Sequence, residues 1–150
     1  MKTLLMIFML VGCAAAQTFD VELDVQSANP SLNSTMESHL SRELRSLGDV
    51  RVVNSNAFYT IHILAMESKT VSGYASGYSV AFVTTWNTPC TLHANNSSRT
   101  CRLFDDFHTF ETGPNGLKSM CEEIIAAFDA TSLKPLRNLP KKKQPEIVYN

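Results

Sequence analysis

The sequence predicts an α+β fold, a two-layer sandwich in which two helices cover one face of a mixed or antiparallel sheet. Residues 57–86 predict a long antiparallel hairpin, because two runs rich in β-branched and aromatic residues flank the polar turn KTVSG. Residues 19–26 alternate between apolar and polar side chains, which is typical of a half-buried strand. Two further segments carry apolar residues at spacings of three and four, the periodicity of helices that pack on a sheet.

The first half of the chain predicts a strand, a helix and a short strand before the hairpin. Asn29-Pro30 opens the helix, because proline is tolerated at a first helical position, and Gly48 is the expected stop. Residues 49–53 predict the short strand. The first hairpin strand has apolar residues on both faces, so we expect it to be central in the sheet. The apolar stripe of the helix consists of Leu32, Met36, Leu40, Leu44 and Leu47.

The second half completes the order β-α-β-β-β-β-α. Residues 87–101 are rich in Pro, Asn and Ser and predict an exposed, irregular loop. A strand is expected over residues 100–110, with a bulge or a strand end at Asp105-Asp106. A helix with one apolar side is predicted over residues 117–130. The prolines and the lysine run 141–143 predict a flexible basic tail over residues 132–150.

Composition indicates a single folded domain, which we place at residues 17–131. The chain has 150 residues, of which 44% are hydrophobic and 18% charged, and its formal net charge is −1. These values are typical of a globular protein. A nearly neutral chain does not favour nucleic-acid binding, which usually requires a strongly basic face.

The amino terminus predicts export. Lys2 precedes an apolar run over residues 4–11 and small residues over 12–16, and the run is too short to cross a bilayer. Cleavage after Ala16 would make residues 1–16 a signal peptide. The sequence LVGC at 10–13 resembles the lipobox of bacterial lipoproteins, which implies removal of residues 1–12 and lipid attachment at Cys13. Both routes predict an extracytoplasmic protein, in the periplasm, at the outer membrane or secreted.

Cysteine usage predicts one disulfide and one buried thiol. An exported compartment permits disulfides, and Cys90 and Cys101 flank a short polar segment, so we expect them to pair. Cys121 lies on the apolar side of the predicted helix and is expected to be a buried thiol. A metal site built from Cys90, His93 and Cys101 is the less favoured alternative.

The sequence contains no catalytic motif, and it predicts no catalytic residue, metal or cofactor. The four histidines lack zinc-ligand spacing, and Ser72 and Ser76 lack a GxSxG setting. Adjacent residues of a regular strand face opposite ways, so the carboxylates of Asp105 and Asp106 are not expected to converge. The chain is therefore expected not to be an enzyme.

Three aromatic residues are candidates for binding a partner. Tyr74, Tyr78 and Trp86 are predicted to share one strand face, which would suit a glycan or a protein. Packing under a helix is the favoured interpretation, because aromatic residues on strands usually belong to the core. Sequons at Asn33, Asn95 and Asn96 matter only if the chain passes through a eukaryotic secretory pathway.

Two segments carry a family resemblance. Residues 40–63, LSRELRSLGDVRVVNSNAFYTIHI, and residues 122–130, EEIIAAFDA, resemble small extracytoplasmic α/β domains of the TolB N-terminal and outer-membrane lipoprotein assembly type. The resemblance implies a non-catalytic binding or assembly module whose partner is another envelope protein. Independently of this resemblance, the lipobox-like sequence and the basic tail predict contact with a membrane surface. The alternatives are a small secreted enzyme with an unrecognised site and a disulfide-stapled secreted inhibitor or effector.

Overall fold

A computed structural model of the chain describes residues 18–92 and 97–139, with only the backbone described for 89–92 and 97–100. Within these ranges, no helix combines the length and the apolar character that crossing a bilayer requires. The elements are β1 (Phe19–Ser27), α1 (Pro30–Ser46), β2 (Val50–Val52), β3 (Tyr59–Lys69), β4 (Ala75–Leu92), β5 (Ser97–Thr112), α2 (Leu117–Phe128), a π-helical turn (Asp129–Leu133) and α3 (Lys134–Arg137). The predicted α+β order is confirmed, with two short helical segments added after α2.

The five strands form one mixed sheet in the order β2-β1-β3-β4-β5. Strand β1 is parallel to both β2 and β3, whereas β3, β4 and β5 are antiparallel to one another. Strand β3 is the middle strand, as its two partly apolar faces predicted. Strand β2 pairs only with the first three residues of β1, so most of the outer edge of β1 has no strand beside it in the described part of the chain.

The core lies between the sheet and helices α1 and α2, which pack on one of its faces. Tyr59 from β3 meets Phe128 from α2 edge to face, with ring centroids 5.3 Å apart. Helix α1 begins where the sequence predicted: the Asn29 side chain accepts a hydrogen bond from the Ser31 N–H at 3.1 Å, and Pro30 is the first helical residue. The fully buried side chains of this core include Phe19, Met36, Leu40, Leu44, Ile61, Phe82, Ile124 and Phe128.

The loop predicted at residues 87–101 is mostly strand. Strand β4 continues to Leu92 and β5 begins at Ser97, with Thr88 opposite Cys101 in the ladder. The ladder between β3 and β4 ends at Trp86, so beyond it β4 pairs only with β5. In this two-stranded extension, each strand has one edge without a neighbouring strand. Polar residues and Pro89, which has no N–H to donate, are tolerated there because that edge forms no ladder hydrogen bonds. Long-range pairing therefore overrides the local composition that predicted a loop.

The flexible tail predicted from residue 132 instead begins in packed helical structure. Leu133 in the π-helical turn is fully buried, and Pro135 lies in the first turn of α3, where its missing N–H costs little. The described domain therefore extends to Leu139, beyond the predicted boundary at 131. The rest of the basic tail, with lysines 141–143, lies outside the described residues, and its role stays a prediction.

The predicted export and lipidation signals also fall outside the described residues, which begin at Thr18. Cleavage after Ala16 and lipid attachment at Cys13 therefore stay predictions. Of the three sequon asparagines, Asn95 and Asn96 lie in the undescribed segment 93–96. Asn33 lies within α1, and its side-chain oxygen is buried.

Candidate functional site

Side chains on the sheet face opposite the helices form a surface that we call the open face. Residues directly opposite each other in neighbouring strands share a face, so the register assigns its members in rows. These rows are Glu22, Thr60, Thr85 and Phe104; Asp24, His62, Val83 and Phe107; Gln26, Leu64, Ala81 and Thr109. A last row of Met66, Ser79 and Glu111 lies beyond the end of β1.

The open face is polar along β1 and mixed on β3, β4 and β5, where apolar side chains alternate with Thr, Ser, His and Glu. The apolar side chains are strongly exposed: Leu64 by 53%, Met66 by 62%, Phe104 by 67% and Phe107 by 51%. Single exposed apolar residues are ordinary on protein surfaces. Here Ala81 and Val83 of β4 lie on the same face between the β3 pair and the β5 pair, so the apolar side chains form a band across the face, which indicates an interaction site. We call these four side chains the apolar patch.

A β-bulge in β5 determines how this part of the surface is arranged. Thr84 is opposite Asp106 and Thr85 is opposite Phe104, so Asp105 is the additional residue. The predicted irregularity at Asp105-Asp106 is thereby confirmed. The bulge keeps Phe104 opposite Thr85, which belongs to the open face. It also turns both carboxylates toward the helical layer, so the expectation that they face opposite ways is wrong here.

Both bulge carboxylates have hydrogen-bond donors. Asp105 accepts hydrogen bonds from the hydroxyls of Ser132 and Thr84. Asp106 accepts from the Phe107 N–H and contacts Nε2 of His108, each at 2.8 Å. Burial favours a higher pKa for Asp106, but these hydrogen bonds outweigh it and lower the pKa. The hydrogen bond from Ser132 to Asp105 therefore joins the bulge to the helical layer, whereas the contacts of Asp106 with Phe107 and His108 lie within β5.

A chain of polar contacts crosses the open face from β1 to β4. Oδ2 of Asp24 lies 2.9 Å from Nδ1 of His62, and Nε2 of the same imidazole lies 3.3 Å from Oγ1 of Thr85. Hydrogen bonds from His62 and Gln26 lower the pKa of Asp24. The sequence analysis missed this arrangement, because residues 24, 62 and 85 become neighbours only when the register of three strands is known.

The order carboxylate, imidazole, hydroxyl is also that of the catalytic groups of nucleophilic hydrolases. Acyl transfer also requires donors aimed at a developing oxyanion. Thr85 lies in the middle of the sheet, where the ladders to β3 and β5 engage main-chain donors. Asp24, His62 and Thr85 therefore form a line of polar contacts across the open face.

The three predicted partner-binding aromatics do not form one surface. Tyr74 lies in the turn between β3 and β4 and is 76% exposed. Tyr78 and Trp86 are partly buried and pack against the core, and Trp86 meets Phe58 edge to face at 6.2 Å. For these two residues the geometry agrees with the packing interpretation. The larger exposed apolar cluster is the apolar patch, whose β3 members lie on the second apolar face of the predicted strand.

The described cysteines are one disulfide-bonded residue and one free thiol. Cys101 is disulfide-bonded, whereas Cys121 is free and fully buried. The register places Cys101 opposite Thr88 and Cys90 opposite Arg99, so the two cysteines occupy diagonal positions in the ladder. The side chain of Cys90 is outside the described set, and its pairing with Cys101 stays a prediction. His93 also lies outside, and no described group of three or more His, Cys, Asp or Glu is arranged to hold a metal ion.

A groove adjoins the apolar patch where β1 ends. It has a volume of about 870 Å³ and is lined by Leu32, Leu64, Ala65, Met66, Glu67 and Lys69 among others. Leu64 and Met66 belong to both the groove and the apolar patch, so the two features form one continuous surface.

Comparison with known proteins identifies no family. No protein-family model and no curated protein matches the chain. Among solved structures, a PelC dodecamer from Paraburkholderia phytofirmans is similar, with 17% sequence identity over 78% of this chain and 88% of that chain and a TM-score of 0.42. A point variant of that PelC gives 15% identity over 75% and 86% of the two chains, with a TM-score of 0.43.

Proposed function

We propose that this chain is an exported, non-catalytic binding or assembly module of the cell envelope, and that it holds its partner on the open face. The observation that supports this proposal is the apolar patch of Leu64, Met66, Phe104 and Phe107, exposed on the face opposite the helices. The partner is another envelope protein. Export rests on the sequence of residues 1–16.

The distribution of charge on the open face defines what the partner needs. Glu22, Asp24 and Gln26 line the face along β1, and Asp20 beside them is engaged in a bidentate pair with Arg51 at 2.7 Å. A complementary surface places apolar side chains against the patch and basic or hydrogen-bond-donating groups against β1. The burial of aromatic side chains at the centre of such an interface dominates the affinity.

The proposal predicts that charge on the patch reduces partner capture. Phe104→Asp combined with Phe107→Asp should reduce the partner recovered from detergent-solubilised native membranes at least tenfold, because an unpaired carboxylate would be buried at the interface. Both side chains are exposed, so the fold should tolerate the change.

The control is Val71→Asp, which introduces one carboxylate at an exposed apolar residue in the β3–β4 turn, outside the patch. It should leave capture unchanged. Equal recovery of the same partner by the wild type, the control and the double variant would contradict the proposed binding surface.

We also propose that a lipid on Cys13 holds the module at the membrane. Cys13→Ser should move the protein from the membrane fraction to the soluble fraction, because lipidation requires the thiol. Mass spectrometry of the mature chain provides the direct measurement. A mature amino terminus at Gln17 in soluble wild-type extract would rule out the anchor and leave cleavage after Ala16.

A further inference from the structure

The sheet contains a vacant strand position beside the end of β3. Strand β1 pairs with β3 as far as Ser27 opposite Ala65, and the chain then turns through Asn29 into α1. Strand β3 continues to Lys69 and stays paired with β4 on its other side. In the described part of the chain, residues 66–69 therefore have a neighbouring strand on one side only.

Main-chain hydrogen-bonding groups of β3 face this vacant position. The Asn87 N–H donates to the Phe58 carbonyl at 2.8 Å, which makes Tyr59 and Trp86 a non-hydrogen-bonded pair. Pair types alternate along an antiparallel ladder, and the register is regular up to Ser68. Glu67 and Tyr78, an even number of residues further on, form a pair of the same type. The N–H and C=O of Glu67 therefore point away from β4, toward the vacant position.

The groove at the end of β1 occupies the same place. Its walls offer apolar contacts on both sides of an incoming strand: Leu64 and Met66 on the open face, and Leu32 and Ala65 on the helical side. Its volume of about 870 Å³ is within the range of ligand-binding clefts. At the rim, Nζ of Lys69 lies 3.4 Å from Oε2 of Glu67, and such charges discourage unspecific pairing at a strand edge.

We infer that an extended peptide segment of the partner adds to β3 in this vacant position. The segment would exchange main-chain hydrogen bonds with Glu67 and place apolar side chains, at alternating positions, against the two walls of the groove. This inference rests on the proposed function, because Leu64 and Met66 belong to both the groove and the apolar patch. It adds the binding mode and the class of partner segment.

One substitution isolates the main-chain contact. Glu67→Pro removes the N–H that faces the groove, and it removes no β3–β4 ladder bond because Glu67 belongs to a non-hydrogen-bonded pair. Proline is tolerated in a strand where its N–H would point away from the ladder. Glu67→Thr is the matched control, because it removes the same carboxylate and keeps the N–H.

The test is selection of phage-displayed random linear peptides on the full chain, followed by anisotropy measurements with the enriched peptides. We expect enriched peptides to carry apolar residues at alternating positions and to bind the wild type and Glu67→Thr alike. Binding to Glu67→Pro should be roughly tenfold weaker, the effect of one lost hydrogen bond. The inference is overturned if selection on the wild type enriches no peptide relative to selection on Glu67→Pro. It is also overturned if the enriched peptides bind Glu67→Pro and Glu67→Thr equally.

One further variant, Phe104→Asp, separates this inference from the proposed function. Peptides that bind Glu67→Pro as tightly as the wild type but do not bind Phe104→Asp would show a binding surface on the open face without strand addition. Peptides and native partner that ignore all of these changes would overturn both. Sedimentation of the chain alone tests whether a second copy of the chain occupies the vacant position. A wild-type dimer that Glu67→Pro dissociates would assign the position to that second copy and would contradict the inference of a partner peptide.

Discussion

Arg137 joins the end of the described chain to the start of β2. Its Nε and Nη2 donate to the two carboxylate oxygens of Asp49 at 2.5 and 2.7 Å, and its Nη1 donates to Asp129. These hydrogen bonds raise the pKa of Arg137, and the hydrogen bonds to Asp49 have the largest effect. The guanidinium also lies 6.0 Å from the ring centroid of Phe19, within the range of a cation–π contact. One side chain thus ties α3, the π-helical turn and the sheet together.

At the residue scale, Cys121 predicts a decrease in stability at alkaline pH. Burial raises the pKa of this thiol from 9.0 to about 11, so the unfolded chain ionises first as pH rises. The contribution of the buried, protonated thiol to the free energy of unfolding is complete below about pH 9. Between pH 9 and pH 11 the free energy of unfolding falls progressively, by roughly 1–3 kcal/mol. Urea denaturation across this range should show the decline in the wild type and a flatter profile in Cys121→Ala. Parallel profiles for the two proteins would contradict the assignment.

At the element scale, the β4–β5 hairpin owes its form to positions where the chain departs from a regular strand. The bulge at Asp105 places Phe104 on the open face and directs two carboxylates to the helical layer. At the other end of the hairpin, Gly77 lets the strands approach closely: a Cβ at this position would lie 2.6 Å from the Thr112 carbonyl oxygen. Because backbone cannot give way cheaply, only glycine fits there.

Gly77→Ala should therefore destabilise the protein. We expect a loss of roughly 1–3 kcal/mol in the free energy of unfolding, the usual cost of overpacking, measured as a lower denaturant midpoint with an unchanged slope. The control is Ser76→Ala at the neighbouring exposed position, which should change stability by less than about 0.5 kcal/mol. A Gly77→Ala midpoint equal to that of the control would show that the hairpin relaxes at this contact.

At the scale of the whole molecule, the segment after α2 completes the domain. Leu133 is fully buried in the core, Ser132 donates to Asp105 at the bulge, and Arg137 reaches Asp49. The segment therefore contacts both the start of β2 and the bulge of β5, and we expect the domain to need it for full stability.

Two truncations test this conclusion. A chain that ends at residue 131 should lose at least roughly 2–5 kcal/mol, the cost of emptying the site of one buried leucine, and its thermal midpoint should fall steeply. A chain that ends at Leu139 keeps Leu133 and Arg137 and should match the full chain. Equal thermal midpoints for the two truncations would place the domain boundary at 131 after all.

The sequence alone determined the order of elements, because local patterns encode them: alternation in β1, the stripe and caps of α1, and the apolar side of α2. The sequence also predicted an irregularity at Asp105-Asp106 and a central position for β3 in the sheet. Only the tertiary structure decided the extent of β4 and β5, since ladder partners outweigh the polar composition of residues 87–101. The contacts among Asp24, His62 and Thr85, the apolar patch and the vacant position beside β3 likewise depend on register. Register is set by pairing between residues distant in sequence, so no local pattern contains it.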